Sequence, residues 1–123
     1  MTSAVRHQEI FAAWWKDVYP WRATVRTLFV VHMAKITWLA EYEDDWDPMT
    51  REQFDRKFGQ FVHHEWKRVY RADYNIKFDR DWRVLDGWGR PLRIEREKFA
   101  IDFYSLGKNG LDESGEGDDM AGW

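Results

Sequence analysis

Five carboxylates, Asp112, Glu113, Glu116, Asp118 and Asp119, fall within eight residues near the C-terminus, with no base among them. Just before them stand Ser105, Asn109 and a set of glycines that permit left-handed backbone. Hard oxygen donors on a pliable loop suit calcium, which takes six to eight oxygens in irregular geometry. The alternating acids and central glycine of an EF-hand are absent. Composition alone favours a solvated acidic tail over an ion site.

No other constellation carries comparable chemistry. The chain has no cysteine, which excludes disulfides, thiolate metal sites and cysteine nucleophiles. It has no Gly-x-Ser-x-Gly, no phosphate-binding loop and no His-Glu-x-x-His. His63, His64 and Glu65 are adjacent, and neighbours on a helix point about 100° apart, so they read as surface or partly packed residues. Carboxylate pairs are abundant in a chain that is 33% charged, so a small carboxylate hydrolase is the enzymatic alternative and a non-enzyme the preferred reading. The nine tryptophans are scattered over every element, as core residues would be. A formal net charge of −3 without a basic stripe speaks against a nucleic-acid partner. No run of eighteen apolar residues is present, so no membrane span is expected.

The elements that must position the loop follow from glycine and from periodicity. Seven of the eight glycines lie after residue 86, which predicts a helical part over 1–73, antiparallel strands over 74–105 and an acidic, glycine-rich loop over 106–123, all in one domain. A first helix is expected over Ala4 to Val18, ending before Pro20, and a second over Trp21 to Glu43. In the second, Val25, Leu28, Phe29, His32, Ile36, Leu39 and Ala40 recur at steps of three and four on one face. Thr50 with Gln53 forms a capping box for a third helix, striped by Phe54, Phe58, Phe61, Val62, Glu65 and Val69 and ending near 71–73. The period then becomes two at Tyr74, Ile76 and Phe78, and again at Phe99, Ile101 and Phe103. Residues 91–96 and 99–105 read as a hairpin packed on the second helix, and Trp88 reads as a core plug. No internal repeat is evident. The fold class is α+β.

The order of the C-terminal motifs resembles the major pseudopilin of type II secretion systems. Asp86-Gly87-Trp88-Gly89-Arg90-Pro91 matches that family's Asp-x-Trp-Gly-x-Pro turn, and Ser105-Leu106-Gly107-Lys108-Asn109-Gly110 matches its Ser-x-Gly-x-(Asp/Asn)-Gly loop. An acidic pair and a tryptophan close the chain, as Asp118, Asp119 and Trp123 do here. The likeness covers roughly residues 84–123. It implies a pseudopilin-like fold with a calcium-binding loop. The ligands it implies are the carbonyl of Leu106, the side chain of Asn109 and the carboxylates of Asp118 and Asp119, with the Leu111 carbonyl and Asp112 as further donors. It also implies a structural function. Such subunits build a periplasmic filament that moves folded proteins across the outer membrane, with other pseudopilins and secretion components as partners. The chain would be periplasmic, or anchored in the inner membrane in a longer form. The family's prepilin-peptidase site and apolar anchor helix are not found here, so the chain as given is expected to be a monomer or weak oligomer. A soluble, non-polymerising relative is the alternative.

Overall fold

A computed structural model describes residues 18–42, 49–69, 75–97, 100–112 and 119–121. The helix expected over 4–18 lies outside them save for Val18, as does Asp118. The described architecture is α+β: two helices, a two-stranded sheet and a three-stranded sheet.

Helix α1 spans Tyr19–Tyr42. Pro20 falls in its first turn, where a missing N–H costs nothing. The buried side of α1 carries Thr24, Thr27, Leu28, Val31, Ala34 and Trp38. The face expected from sequence is largely the wrong one: Leu28 is buried, but Phe29 and Ile36 are exposed. The reason is that α1 carries apolar residues on two opposite sides, so periodicity does not select which of them turns inward.

Helix α2 spans Arg51–Val69 and begins as the capping box requires. The Thr50 N–H donates to Gln53 Oε1 at 3.0 Å, and the Gln53 N–H donates to Thr50 Oγ1 at 3.2 Å. Phe54, Phe58, Val62 and Glu65 are buried as the stripe predicts, whereas Val69 is exposed. Trp38 of α1 is met edge-on by Phe54, Phe58 and Phe61 at centroid distances of 5.8, 5.5 and 5.3 Å. Burying side chains of this size contributes about 1.5–3 kcal/mol each. Trp38 fills the core, and Trp66 packs against it. Trp21 is half exposed and Trp88 is only partly buried, so neither plugs it as expected.

Strands β1 (Lys77–Phe78) and β2 (Val84–Leu85) pair antiparallel. β3 (Arg93–Glu97) and β4 (Ala100–Ser105) form the expected hairpin, with Ile94 opposite Phe103 and Arg96 opposite Ile101. β4 lies against α1, with Ile101 and Phe103 buried. A short strand β5 (Met120–Ala121) pairs with the other edge of β4, Tyr104 opposite Ala121 and Ser105 opposite Met120.

Two of the turns joining these strands share one hydrogen-bonding pattern. Asp79–Arg83 and Asp86–Arg90 have the same hydrogen bonds. In each, the aspartate N–H donates to the arginine carbonyl, and the fourth residue's N–H donates to the aspartate carbonyl. In each, Oδ1 of the aspartate accepts the N–H of the third and fifth residues. The fourth residue is left-handed in both, Trp82 at φ 63° and Gly89 at φ 82°. The aspartate and the arginine recur seven residues apart, whereas the residues between them, Arg80-Asp81-Trp82 and Gly87-Trp88-Gly89, differ.

Candidate functional site

The candidate site is built outward from Asp86, which is buried. Its Oδ1 closes the local turn by accepting Trp88 N–H at 2.9 Å and Arg90 N–H at 3.0 Å. Its Oδ2 accepts the Ser105 hydroxyl at 2.6 Å, and Ser105 Oγ accepts Gly107 N–H at 3.0 Å. A single carboxylate therefore ties the turn at 86–91 to the start of the loop at 105–110. Buried polar groups carry a large penalty unless paired, and here each has a partner.

Arg90 completes the junction. Its Nη1 donates to the Gly107 carbonyl at 2.7 Å, and its guanidinium lies against Gly110. A Cβ at Gly110 would stand 2.7 Å from Arg90 Cζ, the end of a side chain that can shift, so it is the residue's φ of 69° that favours glycine there. On the opposite side, Gly87 N–H donates to Thr24 Oγ1 at 2.7 Å, and Thr24 O–H donates to the Pro20 carbonyl at 2.8 Å. The turn is thereby fastened to the first turns of α1.

Beyond Gly110 the loop is held by side chains of the sheet. Asn109 Oδ1 accepts Leu111 N–H at 2.9 Å, a local turn. Asp112 Oδ1 accepts the Tyr104 hydroxyl at 2.8 Å, and its Oδ2 is 3.4 Å from Arg93 Nε. Burial, and then the hydrogen bond to Asp112, raises the Tyr104 phenol above its ordinary pKa. Asp119 is partly buried just before β5.

Of the residues expected to hold an ion, Leu106, Asn109, Leu111 and Asp112 follow one another through the turn. Leu111 is 64% exposed, and Asp112 is engaged by Tyr104 and Arg93. Asp112 thus acts first as a wall of the loop. No group of three or more histidine or carboxylate side chains that could hold a metal is formed among the described residues. The donors that are present, amide, carboxylate and carbonyl oxygens, are of the hard type that calcium takes. Asp86, Arg90, Tyr104 and Arg93 were not singled out from sequence as loop contacts. Asp86 and Ser105 each belong to a quoted motif, but the bond between them joins residues nineteen positions apart.

The described histidines are partly packed or at the surface. His63 meets Phe78 and Trp82 edge-on at 5.3 and 5.1 Å, and His64 is exposed. No described helix is long and apolar enough to cross a membrane. Compared with models of known protein families, with characterised proteins and with solved structures, the chain matches none.

Proposed function

We propose that this chain is a structural subunit of a type II secretion pseudopilus, with a C-terminal loop stabilised by calcium. The observation that carries the reading is the pairing of β5 with β4, which returns the chain to the sheet after the acidic segment. A loop fastened at both ends can close around an ion, whereas a solvated tail would leave β4 unpaired on that side. The Asp86–Ser105 bond adds support, since it joins the two motifs on which the family resemblance rests.

In this reading the Leu106 carbonyl, the Asn109 side chain, the Leu111 carbonyl and the carboxylates of Asp118 and Asp119 hold the ion, and Asp112 buttresses the loop through Tyr104 and Arg93. The ion would supply positive charge that offsets repulsion among the clustered carboxylates. The protein would act in the periplasm beside other pseudopilin subunits.

Two measurements test this. Calcium at a hundredfold excess over its Kd adds RT ln(1 + [L]/Kd), about 2.7 kcal/mol, or on the order of a ten-degree rise in Tm. Chelator should reverse the rise, Asp119→Ala should abolish it, and magnesium should do less because it demands a tighter octahedral shell. Deleting the gene in its host should leave exported enzymes in the periplasm. A melting curve indifferent to calcium and chelator removes the ion from the reading, and normal export in the deletion strain removes the filament.

A further inference from the structure

We propose that the outward side of α1, together with the cationic pocket beside its first turns, is a docking surface for an anionic phospholipid membrane. The proposal is independent of the calcium loop and goes beyond a filament role.

The helix is apolar on two sides. One side builds the core around Trp38, and the other is left at the surface. At 100° per residue, Val18, Arg22, Val25, Phe29, Met33 and Ile36 fall on one strip. Phe29 and Met33 are exposed, and Ile36 is 51% exposed. Trp21 flanks the strip at 52% exposure. An apolar strip with an aromatic flank is the composition of helices that lie in the membrane interface.

Charge selects the occupant. Residues 18–40 contain Arg22, Arg26, His32 and Lys35 and no acid, although the whole chain has a net charge of −3. Arg22 and Arg26 share a pocket of about 180 Å³ with Lys77. Asp86 also lines the pocket, but its carboxylate is turned to Trp88, Arg90 and Ser105. The pocket therefore presents three cations with an apolar strip running away from it along the helix. A phosphate headgroup fits the pocket, and acyl chains fit the strip. A second copy of the chain would offer these arginines only one carboxylate from the helix, Glu41, whereas an anionic bilayer offers a continuous layer of them.

The test is co-sedimentation of the full chain with vesicles of phosphatidylglycerol mixed into phosphatidylcholine, against vesicles of phosphatidylcholine alone. Partition into the anionic vesicles should exceed that into the neutral ones, and should fall as salt is raised. Arg22→Gln/Arg26→Gln should weaken it roughly thirtyfold. Phe29→Ser/Ile36→Ser should abolish it at any phosphatidylglycerol content. The Tm of each variant is measured in parallel, so that loss of partition by a folded protein is separated from unfolding. No partition, or equal partition into both vesicles, overturns the proposal. Saturable binding of inorganic phosphate without vesicle binding reassigns the pocket to a free anion. A dimer in sedimentation without vesicle binding reassigns the strip to a second copy.

Discussion

Replacing Asp86 by Asn changes one atom and tests the whole junction. The amide oxygen can still accept the N–H groups of Trp88 and Arg90. Losing the charge takes each of these from about 1.5–3 kcal/mol to about 0.5–1.5 kcal/mol. The amide nitrogen then faces Ser105 Oγ, now 2.6 Å from a carboxylate oxygen. Ser105 Oγ already accepts Gly107 N–H, so its own proton is left without an acceptor in a fully buried position. An orphaned buried donor costs about 1–3 kcal/mol. The total is about 3–6 kcal/mol, or roughly 12–24 °C in Tm for a chain of this length. Thermal melts of Asp86→Asn, Ser105→Ala and the double variant form the assay, with amide hydrogen exchange at Gly107 as the local readout. The double variant should be less destabilised than the sum of the singles by about 1–3 kcal/mol. An Asp86→Asn protein within about 0.5 kcal/mol of wild type, or strict additivity, would refute this account of the junction.

Three further outcomes are expected. Gly59→Ala would gain about 1 kcal/mol of helix propensity at an open site; here the new Cβ would stand 1.6 Å from the Trp82 carbonyl oxygen, so Tm should fall sharply. Asp55 Oδ1 is buried and accepts no hydrogen bond among the described residues, and burial raises this carboxyl's pKa against the pull of Arg51, Arg83 and Arg96. A raised carboxyl pKa costs stability where the group is ionised, so Asp55→Asn should raise Tm at neutral pH, and the gain should vanish as pH falls below the ordinary value of 3.8. Burial acts on Asp79 too, but the N–H groups of Arg83 and Asp81 and the Arg83 guanidinium outweigh it and lower the pKa. Its stabilisation is present above pH 3.8 and lost below, so Asp79→Asn should flatten the acid limb of a pH–stability curve.

How much of this was legible in the sequence depended on whether the signal was local. The capping box at Thr50 and Gln53 named its own hydrogen bonds, and alternation at Ile101 and Phe103 named the inward side of β4. The orientation of α1 was not legible, because Phe29 and Ile36 are as apolar as Leu28 and Val31 and only packing against α2 and β4 decides between them. The candidate loop was located by its acids and glycines. Its fastening was not, because Ser105–Asp86, Arg90–Gly107 and Tyr104–Asp112 each join a side chain to a distant or previously unremarked partner.

The paired turns differ in one respect that bears on the order in which the chain folds. In Asp79–Arg83 the second carboxylate oxygen takes Arg83 Nε at 2.7 Å, four residues away, so every bond of the turn is available to an isolated segment. In Asp86–Arg90 the corresponding oxygen waits for Ser105, nineteen residues on. The first turn can therefore be fully formed in the transition state for folding, while the second is completed only after β4 docks. Substitutions at Asp79 should slow folding, and Ser105→Ala should chiefly speed unfolding. Two hydrogen-bonding patterns that look alike in the finished protein would then mark an early and a late event on the path to it.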